Sequence, residues 1–253
     1  MRIITYNVNG IRSAIRKGFL EWLNTDPADV VCLQEIKAQK ENIDASVIDK
    51  MGYHQYWFPA RKKGYSGVAV FTKTAPNQVH YGNGYELSDT EGRVLQLDFP
   101  DISLINAYFP SGTSGDLRQG YKYQWLDEFL NYLNKLREAN PKLIVCGDYN
   151  ICHKPIDIHD PVSNKNSSGF LPEERAWMDK FFDSGFTDTF RYFHPEPHQY
   201  SWWSYRANAR TNNKGWRIDY INSTDELKDR LRDAKICQEV KHSDHCPVYL
   251  ELS

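Results

Sequence analysis

Short runs of apolar residues alternate with polar, turn-forming segments along the chain, and most of these runs have the length of a β-strand. We predict a strand wherever about four to eight apolar or β-branched residues stand together and end at Gly, Pro, Asn or Asp. The predicted strands are 2–8, 30–33, 53–59, 68–72, 94–99, 102–108, 143–146, 217–222, 234–240 and 246–252.

Helical periodicity occurs in fewer places. Apolar residues fall three or four apart over 12–24 and again over 117–136, which predicts two amphipathic helices, the second being the longest in the chain. At 172–174 a proline followed by two acidic residues is typical of a helix start. Two shorter helices are predicted at 42–51 and 225–232.

The order of these elements favours an α/β architecture. The chain starts as strand, helix, strand, with polar groups at each strand end. Between 53 and 108 several strands follow one another without a helix, which indicates antiparallel pairing. A strand that ends in polar groups occurs near the start and again near the middle, which suggests two similar halves. Because no repeat or linker separates them, we predict a single domain over residues 1–253.

Composition changes this picture little. With 253 residues, 40% of them hydrophobic, the chain can build a large core, and its net charge of −2 makes no global attraction for nucleic acid. No apolar run approaches membrane-spanning length, and the first residues predict a strand rather than a secretory signal. Cys32, Cys146 and Cys246 lie in or beside apolar strands, so we expect buried reduced thiols and a cytoplasmic location.

The segment KLIVCGDYN, residues 142–150, has the strongest chemical signal in the chain. It predicts a buried strand that ends at a glycine, with Asp148 and Asn150 just beyond, where sheet proteins usually bind ligands. An acid and an amide two residues apart can position a water and hold a phosphoryl oxygen. A simple Asx turn after a strand explains the segment equally well.

Polar groups also stand at the ends of other predicted strands. Each has a purely structural explanation. Asn7 could cap a helix, Glu35 could pair with Lys37, and Tyr108 could be a core tyrosine. Asp219 lies between apolar residues of a strand, and a buried carboxylate needs a partner. His245, at the start of the last strand, is the natural one, since an Asp–His pair fixes the orientation of the imidazole and raises its basicity.

This set of groups indicates a hard metal ion. Carboxylate and amide oxygens suit Mg²⁺ or Mn²⁺, whereas Zn²⁺ prefers more His or Cys. His194 and His198 are four apart, but the prolines between them prevent a shared helix face. Basic residues cluster in predicted loops, which is typical either of a solvated face or of a polyanion site around an acidic centre.

Nine motifs in a fixed order carry a resemblance over essentially the whole chain. They are NVNGIR (7–12), LQEIK (33–37), GYSGVAV (64–70), EGR (91–93), NAYFPSG (106–112), GDYN (147–150), GFLPEER (169–175), GWRIDY (215–220) and SDHCP (243–247). Together they resemble the exonuclease III family of apurinic/apyrimidinic (AP) endonucleases. Single motifs are shared with pancreatic deoxyribonuclease, sphingomyelinases and inositol polyphosphate phosphatases. The resemblance implies a four-layer α/β sandwich of two packed, mostly antiparallel sheets flanked by helices.

The resemblance also implies a divalent metal site, with Mg²⁺ as the cofactor and Mn²⁺ as a substitute. Glu35 would hold the ion, Asp244 would support it directly or through water, and Asn7 would orient the carboxylates. Some family members have Asp where Asn9 stands, so this chain has one metal-binding charge fewer there. The full implied metal-binding set is Asn7, Glu35, Asp148, Asn150, Asp244 and His245.

Catalytic roles carry over in the same way. Asp148 would activate or orient the attacking water, and Asn150 would brace the water and the phosphate. His245, held by Asp219, would donate a hydrogen bond to the scissile phosphate. Tyr108 would contact the same phosphate or assist the leaving group.

DNA-binding positions follow from the resemblance as well. Trp202 and Trp216 match the aromatic border of an abasic-sugar pocket, whereas Trp203 is expected in the core. The positions that match phosphate-backbone contacts are Arg12, Lys17, Tyr65 and Arg93.

The implied function is Mg²⁺-dependent cleavage of double-stranded DNA 5′ to an abasic site, with 3′-phosphodiesterase and 3′→5′ exonuclease activity, by a monomer. The alternatives are a phosphoesterase for inositol phosphates or sphingolipids, and a DNA-binding module that has lost catalysis. The two tryptophans, Trp202 and Trp216, disfavour the first alternative. The complete catalytic set disfavours the second.

Overall fold

Two six-stranded sheets form the centre of the fold in the computed structural model, which describes residues 1–253. The strands of the first sheet are β1 (Arg2–Asn7), β2 (Val30–Gln34), β3 (His54–Phe58), β4 (Val68–Thr72), β11 (Leu231–Ile236) and β12 (Val248–Leu252). The strands of the second sheet are β5 (Gln78–Tyr81), β6 (Val94–Asp98), β7 (Ser103–Tyr108), β8 (Leu143–Asp148), β9 (Phe186–Asp188) and β10 (Asp219–Thr224).

Helices flank the sheets and connect the strands. The α-helices are α1 (Ile11–Arg16), α2 (Phe19–Thr25), α3 (Ser46–Lys50), α4 (Glu86–Thr90), α5 (Asp116–Ala139), α6 (Pro172–Asp183) and α7 (Thr189–Phe193). Short 3₁₀ helices occur at Lys40–Asn42, Pro155–Asp157 and Asp225–Arg230. None of these helices combines the length and the hydrophobicity of a membrane-spanning segment.

Both sheets are mostly antiparallel, as predicted. The strand orders are β11-β12-β1-β2-β4-β3 and β5-β6-β7-β8-β10-β9. In each sheet one central pair is parallel, β1 with β2 and β7 with β8, and helices connect the two strands of the pair. This shared plan confirms the suggestion of two similar halves.

Three apolar cores separate four layers. Strand β2 shows how the sequence produces them, because Val30 and Cys32 face the other sheet whereas Val31 and Leu33 face the helices. A strand that is covered on both sides is apolar at every position, so the continuous run at 30–33 marks a central strand. Helices α5 and α6 cover the second sheet in the same way. The predicted four-layer α/β sandwich is therefore confirmed.

Several predicted elements have different bounds. The helix predicted over 12–24 is two helices, because Gly18 between them takes a left-handed backbone conformation with φ of 93°. The helix predicted at 225–232 is a 3₁₀ helix, and β11 starts at Leu231. Strand β5 and helix α4 were not predicted, since β5 is largely exposed and neither has a clear apolar pattern. All five cysteines are buried and free, as expected for the three that were considered.

The two parallel pairs bring the predicted strand ends together at one edge. Asn7 lies opposite Gln34 in the first sheet, and Tyr108 lies opposite Asp148 in the second. A buried hydrogen bond of 2.7 Å from Gln34 Nε2 to Asn106 Oδ1 joins the two sheets directly beneath this edge. The polar groups that follow these strands therefore face each other across the gap between the sheets.

Candidate active site

A cleft of about 970 Å³ opens at this edge of the two sheets. Asn7 and Asp219 lie buried behind it, below the residues that line it. Eight of the residues predicted from the sequence line the cleft: Glu35, Tyr108, Asp148, Asn150, Trp202, Trp216, Asp244 and His245.

Asn7 joins the two halves of the site. Its Nδ2 donates to Glu35 Oε2 at 3.0 Å and to Asp148 Oδ2 at 2.8 Å, and its Oδ1 accepts from the Asn9 backbone N–H at 2.9 Å. One buried amide thus holds a carboxylate from each sheet around a single nitrogen. This geometry fits the orienting role that the resemblance implies for Asn7.

The segment KLIVCGDYN forms the predicted buried strand and ends in the predicted Asx turn. The Asn150 backbone N–H donates to Asp148 Oδ1 at 2.8 Å, which is an Asx turn. Gly147, just before the turn, lets β8 lie close to β7, because a Cβ there would lie 1.8 Å from the Ala107 carbonyl oxygen. The turn leaves both side chains lining the cleft, so it is the device that presents the site.

Burial sets the protonation behaviour of Asp148. It raises the pKa of this carboxyl to about 7, although the positive charge of His245 acts in the opposite direction. A carboxyl group whose pKa lies near neutrality is well matched to taking a proton from water. Asp148 therefore has the property that a general base requires.

Asp219 and His245 form the expected pair. His245 Nδ1 donates to Asp219 Oδ2 at 2.9 Å, and the Ser201 hydroxyl donates to the same carboxylate oxygen at 2.6 Å. Burial disfavours charge on His245, but the carboxylate of Asp219, followed by those of Asp148 and Asp244, raises the histidine pKa to about 10. His245 is therefore a buried cation at neutral pH. Its Nε2 points to the cleft, 3.9 Å from Asp148 Oδ2.

Two parts of the cleft offer oxygen atoms to a metal ion. Asp148, Asp219 and His245 bring their ligand atoms within 4.8 Å of one another, but the charge on His245 opposes a cation there. On the other side, the Lys37 ammonium lies 2.8 Å from Glu35 Oε1 and 2.6 Å from Asn9 Oδ1. The Lys37 side chain is a third exposed and can move away from these oxygens, whereas His245 is buried and held by Asp219. The donor set beside Glu35 therefore suits a hard divalent ion better.

Asp244 lies next to this second group. Its Oδ1 accepts from Asn9 Nδ2 at 2.9 Å and from Ser243 Oγ at 3.1 Å, and its Oδ2 accepts from Trp202 Nε1 at 3.0 Å. Burial acts to raise the pKa of Asp244, but the charge on His245 and these hydrogen bonds lower it. Asp244 therefore remains ionised and can support a cation beside Glu35.

Tyr108 is held in place by Arg93, a residue predicted to contact the phosphate backbone. Arg93 is 2% exposed, its Nη1 donates to the Tyr108 carbonyl at 2.8 Å, and its guanidinium lies 4.9 Å from the centre of the Tyr108 ring. The expected phosphate contact of Arg93 finds no support in this burial, and the residue braces Tyr108 instead. Burial, with the charges of Glu35 and Asp148, raises the Tyr108 pKa, so the phenol stays a proton donor.

An aromatic recess adjoins the charged centre. Trp202 and Trp216 meet edge to face with ring centroids 6.0 Å apart. Gly169 lies against the Trp216 ring, where a Cβ would come within 2.9 Å of Cζ3. Trp203 is buried in the core, as expected.

The predicted backbone-contact residues lie outside the cleft. Arg12 and Lys17 are exposed, and Tyr65 is half-buried. A second cavity of about 280 Å³ is lined by Arg12, Tyr65 and three lysines, and it shares Lys37 with the cleft. The basic cavity and the cleft therefore adjoin each other at Lys37.

Sequence reasoning missed a buried ion pair behind the cleft. Lys122 Nζ lies 2.5 Å from Glu174 Oε1 and donates to the Asn150 carbonyl at 2.9 Å. Glu174 Oε2 accepts from the backbone N–H groups of Gly169 and Leu171 at 2.6 and 3.0 Å. Both side chains are fully buried, and no local pattern distinguishes these positions from ordinary surface charges of a helix.

Replacing Lys122 with Met is expected to lower the free energy of unfolding by about 3–5 kcal/mol, because it leaves the buried Glu174 charge without its partner. Urea denaturation measures the change. Adding Glu174→Gln to the Lys122→Met variant is expected to recover part of the loss. A single variant as stable as the wild type would contradict the structural role of the pair.

Replacing Asn9 with Asp is expected to lower the divalent-ion concentration needed for half-maximal activity. The new carboxylate would lie where Asn9 Nδ2 now donates to Asp244, so two like charges would meet at 2.9 Å and favour a cation. An unchanged or higher divalent-ion requirement would count against this account of position 9.

The fold and the cleft together define a class of protein. Two packed sheets present carboxylates, amides and a charged histidine at one edge. These are the functional groups that a divalent-metal-dependent phosphoesterase uses. The chain belongs to the endonuclease/exonuclease/phosphatase family, whose model matches residues 4–245.

Similar proteins narrow this class to nucleases. The chain is 45% identical to an exodeoxyribonuclease of Bacillus subtilis over the full length of both chains. It is 40% identical to the DNA repair nuclease APEX1 of Danio rerio, covering 100% of this chain and 82% of that protein. Among solved structures, an AP endonuclease from Archaeoglobus fulgidus matches with a TM-score of 0.91 and 31% identity, covering 100% of this chain and 99% of the other. The protein is a nuclease hydrolase of this family.

Proposed function

We propose that the protein is a Mg²⁺-dependent DNA repair nuclease that hydrolyses the phosphodiester 5′ to an abasic site in duplex DNA and leaves a 3′-hydroxyl. The same centre would remove blocking groups from 3′ ends and degrade DNA in the 3′→5′ direction. The observation that carries the proposal is the aromatic recess of Trp202 and Trp216 in the same cleft as Asp148 and His245. Residues 1–253 would act as one catalytic domain, as a monomer in the cytoplasm.

Each polar side chain of the cleft would have its own role in the hydrolysis. Asp148, braced by Asn150, would take a proton from the attacking water. His245 would donate from Nε2 to a phosphate oxygen, where its positive charge stabilises the charge that develops. Tyr108 would donate its phenolic proton to the phosphate or to the leaving oxygen. Glu35 and Asp244 would hold the Mg²⁺, which would supply positive charge to stabilise the negative charge that develops in the transition state.

Substrate recognition follows from the surroundings of the centre. The recess between the two indoles suits the apolar face of a deoxyribose that has lost its base, whereas a base would meet the aromatic walls. Arg12 and Tyr65 line the basic cavity beside the cleft and Lys17 is exposed, so these three side chains would contact the backbone of a duplex. The names of the relatives, an exodeoxyribonuclease and an AP endonuclease among them, support the same choice.

A substrate panel tests the proposal against its alternatives. The wild-type protein with Mg²⁺ is offered a duplex with one reduced abasic site, the same duplex without the lesion, an inositol polyphosphate and sphingomyelin. Incision of the abasic duplex is expected at a rate at least ~10²-fold above hydrolysis of the last two, measured as phosphate from the inositol polyphosphate and phosphocholine from sphingomyelin, since the recess discriminates by shape. Preferential hydrolysis of either small substrate would replace the proposal with another phosphoesterase. Tight binding of abasic DNA without any cleavage would indicate a DNA-binding module.

A further inference from the structure

The indole of Trp202 belongs to both parts of the site. Its ring forms one wall of the aromatic recess, and its Nε1–H donates to Asp244 Oδ2 at 3.0 Å. We propose that Trp202 is a positioning residue that links the recess to the metal centre, because it fixes the carboxylate of Asp244. The inference rests on the proposed function and assigns to this side chain a second task besides forming the pocket wall.

The backbone around Trp202 leaves the indole little freedom. Trp202 and Trp216 exchange backbone hydrogen bonds, each N–H donating to the other's carbonyl at 2.9 Å. The next residue, Trp203, donates its backbone N–H to the Asp244 carbonyl at 3.1 Å. The segment is thus attached both to the segment that bears Trp216, just before β10, and to the loop that bears Asp244. A side chain anchored in this way can hold a carboxylate in one orientation.

Trp202 is the sole donor to one of the two oxygens of Asp244. Asn9 and Ser243 both donate to Oδ1, whereas Oδ2 accepts only from the indole. The indole nitrogen of Trp can only donate a hydrogen bond, so Asp244 Oδ2 must be the acceptor in this contact. Loss of the N–H would leave Oδ2 unpaired in a partly buried place and let the carboxylate rotate about its bond to Cβ. The cost would fall on binding of a divalent ion, since the partners that orient a ligand tune its affinity.

Trp216 provides a matched control within the same recess. It has the same ring, packs edge to face with Trp202 and also lines the cleft. Its indole nitrogen makes no hydrogen bond within the chain, and no carboxylate depends on it. Replacing either tryptophan with Phe removes a similar amount of aromatic surface, but only Trp202→Phe removes a donor from Asp244.

Calorimetric titration of Mn²⁺ into the DNA-free protein gives the main readout. Trp202→Phe is expected to raise the Mn²⁺ dissociation constant about tenfold or more, and Trp216→Phe to change it less than about twofold. In EDTA, both variants are expected to weaken binding of abasic duplex to a similar extent, because both lose wall area. A Trp202→Phe variant that binds Mn²⁺ as tightly as Trp216→Phe would overturn the proposal.

A second variant at position 202 tests the proposal even if Trp202→Phe does not fold. Incorporating benzothienylalanine at position 202 keeps the shape of the indole and replaces its N–H by sulfur, and the same loss of Mn²⁺ affinity is expected. Unchanged affinity in this variant would also overturn the proposal. Because the titration contains no DNA, it distinguishes this inference from the proposed function: weakened Mn²⁺ binding would support the role of Trp202 even if the wild type cut no abasic DNA.

Discussion

Replacing Asp148 with Asn is expected to lower kcat for abasic-site incision by about 10³-fold or more. Activity falls because the amide cannot take a proton from water. The substitution is also expected to change how stability depends on pH, because burial raises the folded-state pKa of Asp148 to about 7, above its ordinary value of 3.8. The wild type is therefore expected to lose stability relative to the variant as the pH rises between these two values.

Single-turnover incision and thermal unfolding measure the two effects of this substitution. Asp179→Asn is the control, since Asp179 is half-exposed and lies outside the cleft. It is expected to keep the wild-type incision rate. An Asp148→Asn variant that retains more than about a tenth of the wild-type kcat would remove Asp148 from the role of base.

Replacing His245 with Gln is expected to lower kcat by about 10²–10³-fold, since the cleft loses a charged donor aimed at the phosphate. Asp219→Asn should cause a smaller loss, and it should add little in the His245→Gln background, because Asp219 acts through His245. Single-turnover rates of the two single variants and the double variant measure this coupling. Fully additive losses would contradict the linkage.

The same histidine predicts a pH dependence of stability. Its folded-state pKa is raised to about 10 from an ordinary value of 6.5, so protonation of His245 stabilises the fold. That contribution is fully present below about pH 6.5 and is lost as the pH rises toward 10. The melting temperature of the wild type should therefore exceed that of His245→Gln most at pH 6, and the difference should shrink by pH 10. A constant difference would contradict the charged state of His245.

The fold was largely predictable because its central strands are covered on both sides. The run VVCL at 30–33 must be apolar at every position to serve two cores, and that pattern is visible in the sequence. Elements without such a constraint were missed or misplaced. The break at Gly18 and the exposed edge strand β5 depend on backbone conformation and position in the sheet, which local periodicity does not encode.

The residues of the candidate site could be predicted better than the hydrogen bonds between them. The motifs assembled Glu35, Asp148 and His245, but the bond from Asn7 to Asp148 joins residues 141 positions apart. Contacts of that range depend on how the two sheets pack. The burial of Arg93 and the indole–carboxylate bond of Trp202 were hidden for the same reason.

The most direct test of the whole account is the position and chemistry of the cut. A labelled duplex with one reduced abasic site is incubated with the wild-type protein in Mg²⁺ and in EDTA, and the product is offered to a DNA polymerase. The account predicts a single cut immediately 5′ to the lesion, a 3′-hydroxyl that the polymerase extends, and no cut in EDTA or with Asp148→Ala. Absence of incision by the wild type, or a product that the polymerase cannot extend, would contradict it.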